Sequence, residues 1–324
     1  MALEDVEIQT ILEEKLTERD EQLQETVLPE INVGEALPID ESLDLADKYA
    51  EFGVVTVVGS VKDGIISGNG KTNSLRTIDS DIEWKKAPVG NWAKAATWTS
   101  QELRTVARLG QNLDTVKLDN LYNNAVATIQ YAGYLGHQDI KGQEGLLTGS
   151  GVQVVNEAKG IDEMTADEAV AFILGLFNRS WAASGYRVMP THIAMDAGDF
   201  MLLMQKFNPN GTIVGADLLP ISAMDRIMAA LKKANNDTAV NLTFVKIPSK
   251  YAVGIKSGKT RMVVYVYDPL YVEMRVHMPE LLPVRQRDLL TWEAGYESAF
   301  GGAMWKQPKS ALYADYKTTV APAT

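Results

Sequence analysis

VVTVVGSVKDGIISGNGKTNS, residues 54–74, begins as a β-branched run, passes through several glycines and reaches Gly70-Lys71-Thr72. Two readings compete for it. A phosphate-binding loop uses glycines to turn backbone N–H groups inward, with a helix N-terminus directly behind them. That loop needs four residues between its first glycine and Gly-Lys-Thr. Here Ile65, Ile66, Ser67, Gly68 and Asn69 follow Gly64, one residue too many.

The segment behind the loop gives a second test. NSLRTIDSDIEWKKAPVG, residues 73–90, alternates apolar and polar positions instead of opening a helix, and Pro88 and Gly90 are expected to close it. Asp63-Gly64 and Asn69-Gly70 are both good turn dipeptides. The stretch therefore reads as a long hairpin with a glycine-rich tip. RMVVYVYDP, residues 261–269, imitates the strand that ends in a magnesium-binding aspartate, but Pro269 follows at once.

The remaining chain offers little catalytic chemistry. His137, His192 and His277 are widely separated, and there is no cysteine for a disulfide or a thiolate metal site. Neither a G-x-S-x-G elbow nor a G-x-G-x-x-G fingerprint occurs. Asp167 and Glu168 suit the start of a helix, where the dipole favours carboxylates. No catalytic residue, metal ligand or cofactor is assigned.

Charge is distributed unevenly along the 324 residues. Of the net −11, the first thirty residues carry −8, because ten acidic side chains there face only Lys15 and Arg19. No clustered basic face suggests sequence-specific DNA binding. Ile8, Leu12, Leu16, Leu23 and Val27 lie at helical spacing within this acidic leader, ahead of Pro29. It is either an amphipathic arm whose stripe needs a partner or a solvated terminus. No apolar stretch is long enough to span a bilayer, and the leader lacks a secretion-signal pattern.

Thr99-Ser-Gln-Glu102 and Thr165-Ala-Asp-Glu168 are capping boxes. The first opens an apolar stripe that predicts a helix of roughly 35 residues, about 50 Å long, with Gly110 as its weak point. The second opens AVAFILGLFNRSWAAS, an apolar helix expected to be buried. Strands and two further helices follow, and aromatic strands end the chain, so the fold class is α+β.

In order, these are an acidic arm, a glycine-tipped hairpin, a very long capped helix ending in YAGYLGHQDIKGQEGLLTGSGV, an α+β domain, and a closing GGAMWKQPKSALYAD. That order resembles the HK97-fold major capsid proteins of tailed bacteriophages and the related encapsulin shell proteins. The resemblance covers essentially the whole chain. It implies an N-terminal arm over 1–50, lying along adjacent subunits, and an extended loop over 51–98 that reaches over a neighbour. A peripheral domain would take 99–151 and 283–324, and an axial domain 152–282.

It also implies subunits assembling as pentamers and hexamers into an icosahedral shell around phage double-stranded DNA, without sequence-specific contact. Portal, scaffolding or decoration proteins would be partners, and the site would be the virion, assembled in the host bacterial cytoplasm. Candidate contacts between subunits are Lys62, Gly64, Gly68, Gly70, Lys71, Trp84 and Trp92. Some family members crosslink an extended-loop lysine to an asparagine, which brings Lys62 and Lys71 forward. An encapsulin compartment around cargo protein is the alternative, and a phosphate-handling enzyme using residues 64–72 is the rival from another class.

Overall fold

The computed structural model describes residues 31–58, 79–109, 113–207, 221–234, 242–256 and 258–318. The acidic leader, the hairpin tip and Gly110 lie outside these residues. Helix α1 (Val33–Ala36) and strand β1 (Ile39–Asp40) lead into β2 (Tyr49–Val58) and β3 (Asp79–Thr99). Helices α2 (Ser100–Leu109) and α3 (Leu113–Leu135) follow, then β4 (Gln153–Asn156) and α4 (Ala166–Ala183). Next come β5 (His192–Asp196), α5 (Ala197–Gln205), α6 (Ala223–Ala234), β6 (Thr243–Ile247), α7 (Ser249–Ala252) and β7 (Val253–Lys256). The last strands are β8 (Lys259–Tyr265), β9 (Val272–Leu281), β10 (Arg285–Asp288), β11 (Thr291–Trp305) and β12 (Leu312–Lys317).

Two sheets organise these elements. The first runs β1-β9-β11-β3-β2, with β10 added on β11; the second runs β4-β12-β8-β5-β6, with β7 on β8. Sheet membership divides the chain differently from the expected domains. Strand β9 pairs in the first sheet although it falls within 152–282, and β12 pairs in the second although it falls within 283–324. The reason is local: β9 and β11 form an antiparallel pair, whereas the 3-10 turn Pro308–Ser310 redirects the chain beside β8.

Strand β8 explains why the second sheet is central. Met262 and Val264 face one side and Val263 and Tyr265 the other, as the two-residue period of a strand requires. The first side packs on α4, α5 and α6 through Ile173, Leu176, Leu203 and Ile227. The second packs on the end of α3 and on β9 and β11 through Ile129, Tyr134, Met274 and Trp305. A strand buried on both faces reads as a continuous apolar run, and RMVVYVYD is that run.

Both capping boxes form. Glu102 N donates to Thr99 Oγ1 at 3.2 Å while Thr99 N donates to Glu102 Oε2 at 2.9 Å. Thr165 and Glu168 repeat the exchange at 3.2 and 2.9 Å. Small residues allow close helix packing: a Cβ on Gly133 of α3 would come within 2.7 Å of Val33 Cγ2 in α1.

Pro88 and Gly90 do not close the hairpin strand. Strand β3 runs through both, pairing with β2 from Val58↔Asp79 to Tyr49↔Pro88 and with β11 from Gly301↔Val89 to Thr291↔Thr99. A proline has no N–H for a ladder, and here it stands where the strand exchanges partners.

Candidate assembly surface

The base of the hairpin has one covered and one open face. Ala50 and Phe52 of β2 are buried against Met304 of β11, with Val54, Ala87 and Val89 packed around them. This cluster is small and separate from the two main cores. Register puts Gly53 opposite Trp84 and Glu51 opposite Lys86. On that open face Tyr49, Ile82 and Trp84 are 58%, 54% and 66% exposed, a large apolar surface for so short a ribbon.

The Trp84 indole packs over Gly53. A Cβ placed there would lie 3.6 Å from the ring, an ordinary van der Waals contact, so the ribbon would also accept alanine. Beside it, Lys86 Nζ lies 2.6 Å from Glu51 Oε1, and the hydrogen bond with Glu51 raises the lysine pKa. Both partners are half-exposed, so this pair orients the ribbon and adds little stability.

Trp92 belongs elsewhere. It is half-buried against the core shared by α3 and β11, with Lys94 Nζ 5.5 Å from its ring centroid. Strand β3 thus buries Ala87 and Val89 beside β2, but Trp92 and Trp98 beside β11. The sequence pattern alone grouped the two tryptophans; the partner exchange at Pro88 separates them. Lys62, Gly64, Gly68, Gly70 and Lys71 lie outside the described residues.

A second uncovered patch escaped the sequence reading. Leu281, Val284, Leu289 and Leu290 surround the β10–β11 turn, and Leu289 is 88% exposed. The turn itself is well made: Leu290 N donates to Asp288 Oδ1 at 2.9 Å and Ser100 N donates to Leu290 O at 2.8 Å. The bond from the Leu290 backbone comes first among the causes that lower the Asp288 pKa.

The titratable groups of the interior serve packing. Glu273 is buried with Lys306 Nζ at 2.7 Å and Arg275 Nη2 at 3.1 Å. His192 stacks on Tyr267 at 4.6 Å, and burial lowers its pKa. His277 Nδ1 lies 3.0 Å from Leu43 O, and His137 packs against Tyr131 and Phe300. Among the described residues no group of three His, Asp or Glu could hold a metal ion, and no helix is long and apolar enough to cross a membrane. The geometry builds contact surface: rigid strands carrying aromatic and aliphatic side chains to solvent.

Comparison with known proteins agrees with that reading. A family model described as "Major capsid protein" matches residues 64–316. The fold is similar to the capsid of Myoviridae phage XM1, with a TM-score of 0.76 and 17% identity over 94% of this chain and 97% of that one. It is also similar to the capsid of a native GTA particle (TM-score 0.61, 11% identity, covering 93% and 95%). Mycobacterium phage Bobi supplies a third likeness (TM-score 0.60, 13% identity, covering 98% and 100%). No curated protein matches the chain.

Proposed function

This chain belongs to the major capsid protein family, with the α+β HK97-like fold and a structural role, and from that premise we propose how its surfaces build a shell. Many copies associate as pentamers and hexamers into an icosahedral shell enclosing phage double-stranded DNA. The hairpin crosses onto a neighbouring copy and covers its Tyr49, Ile82 and Trp84 face there. The patch around Leu289 and Leu290 meets a further copy.

The carrying observation is the open face of the β2–β3 ribbon. An isolated two-stranded ribbon is marginal in water, and among the described residues a small apolar cluster anchors this one at its base. Aromatic anchors of this kind dominate association energies once water is excluded from them. The body beyond the acidic leader is close to neutral, which allows like copies to approach.

We assign 51–98 to the hairpin that reaches outward, 99–151 and 283–324 to a peripheral domain, and 152–282 to an axial domain. Strands β9 and β12 cross those limits to stitch the two together. No enzymatic step is assigned, the subunits assemble in the host bacterial cytoplasm, and portal and scaffolding or decoration proteins complete the particle. The family match favours a genome-enclosing shell over an encapsulin compartment.

The test is the size of the purified protein by light scattering and negative-stain imaging. Closed shells, or rings of five and six, are expected. A subunit that stays monomeric under crowding, together with nucleotide hydrolysis lost on Lys71→Ala, would sink this reading.

A further inference from the structure

The leader leaves the described fold at one tightly held point. Asn32 N donates to Gln130 Oε1 at 2.8 Å, Asn32 Nδ2 donates to Lys246 O at 2.5 Å, and Tyr134 Oη donates to Asn32 Oδ1 at 2.7 Å. Asn32 is buried, so these bonds pin the exit against the C-terminal half of α3.

A groove of about 340 Å³ opens beside that exit, lined by Asn124, Ala127, Thr128, Tyr131, His137 and Tyr251. Asn124, Ala127 or Thr128, and Tyr131 succeed one another by a turn, so the groove follows α3 for about 10 Å. Tyr251 links groove and exit, stacking on Tyr134 at 5.4 Å and meeting the edge of Tyr131 at 6.1 Å.

We infer that this groove seats the chain's own acidic leader, with Leu23 and Val27 against Ala127, Thr128 and Tyr131. Reach comes first: the four residues from Val27 to Ile31 span at most about 14 Å. The groove is lined by Tyr131, the residue after the Gln130 that holds Asn32, so the chain before Ile31 needs to cross only the width of α3 to enter it. Leu23 and Val27 stand one helical turn apart, which fits a groove of this length, and Pro29 breaks the stripe where the chain must turn.

Charge agrees with the fit. Asp20, Glu21 and Glu25 flank the two apolar residues, and Lys94, whose Nζ donates to Asn124 Oδ1 at 2.7 Å, supplies a cation on the rim. The family resemblance would lay the leader along adjacent subunits. Attachment at Asn32 instead presents the groove to its own leader at millimolar effective concentration. The inference does not rest on the shell reading, and its test needs no shell.

The cysteine-free chain makes that test direct. Full-length variants pair Leu23→Cys or Val27→Cys with Ala127→Cys or Thr128→Cys, and dilute unassembled protein is treated with a short bis-maleimide. The control pairs Val27→Cys with Ala95→Cys, an exposed site on the β3 face away from α3. Peptide mapping should find crosslinks within one chain, formed roughly ten-fold faster than in the control. Two results overturn the inference: crosslinks only between chains, falling with dilution, or rates no greater than the control for every groove pair.

Discussion

Arg261 and Asp315 face each other across β8 and β12, joined by Nε–Oδ1 and Nη2–Oδ2 contacts of 2.6 and 2.8 Å. Both are buried. Arg261 also donates from Nη1 to Leu147 O at 2.8 Å and lies 4.7 Å from the Tyr313 ring centroid, while Lys256 Nζ reaches Asp315 Oδ2 at 3.0 Å. The pair therefore ties the second sheet to the loop after α3. Removing Arg261 leaves the buried Asp315 carboxylate with the half-exposed Lys256 as its remaining cation, so Arg261→Met should cost about 3 kcal/mol in denaturant unfolding, the low end for a broken buried pair. Replacing both together, as Arg261→Met with Asp315→Leu, should cost less than the single change.

Acid should act through the same carboxylate. Burial works to raise the Asp315 pKa, and the bonds and charges of Arg261 and Lys256 overcome it, leaving the pKa below the usual carboxylate value. The folded pKa is depressed, so its stabilisation is fully present above the unfolded value near 3.9 and is lost as pH falls through the folded value. Asp315→Asn should accordingly flatten the pH dependence of stability below about pH 4, as followed by urea midpoints across an acid series.

Trp84→Ala should separate folding from assembly. The ring is mostly exposed, so subunit stability should move by no more than about 0.5 kcal/mol. Loss of an aromatic anchor should weaken each contact by about 2 kcal/mol or more. Sedimentation of assembled against free protein reads the difference. Unchanged assembly would remove the open hairpin face from the interface.

Leu289→Glu asks the same question of the β10–β11 patch. Its side chain is almost wholly in solvent, so the melting temperature should hold while particle yield falls. A stable monomer with normal particles would show that this turn faces outward in the assembly.

Gly136 ends α3 with φ +76, the left-handed conformation common just past a helix. A Cβ there would also collide with the Gln143 carbonyl. Gly136→Ala should therefore cost at least about 1–3 kcal/mol, measurable by thermal unfolding.

Much of this architecture was legible because its signals are local. Thr99, Glu102, Thr165 and Glu168 announce both helix starts through contacts three residues apart, and RMVVYVYD announces a strand buried on both faces. Gly136 marks the end of α3 for an equally local reason. Features set by distant partners are not legible in this way. Pro88 reads as a stop because no local signal shows β3 leaving β2 for β11 there. Trp84 and Trp92 look alike in sequence, and only that exchange gives them different surroundings. Strand β12 follows β11 along the chain, yet its hydrogen bonds run to β8 and β4, a pairing that no local signal announces. The second apolar patch was missed because exposure of Leu289 depends on what fails to cover it.

The unbroken passage of β3 from hairpin to body has a mechanical consequence. Pulling the hairpin along its length does not peel β3 away one residue at a time. Antiparallel hydrogen bonds lie across the strands, so such a pull loads the whole Thr291–Gly301 ladder together, in shear. A load that stretches subunits apart would meet this ladder as a tension member running from the β2–β3 ribbon into the sheet beneath α3. The small cluster of Phe52, Ala50 and Met304 holds the ribbon by apolar contact alone, so under such a load it should give before the ladder does.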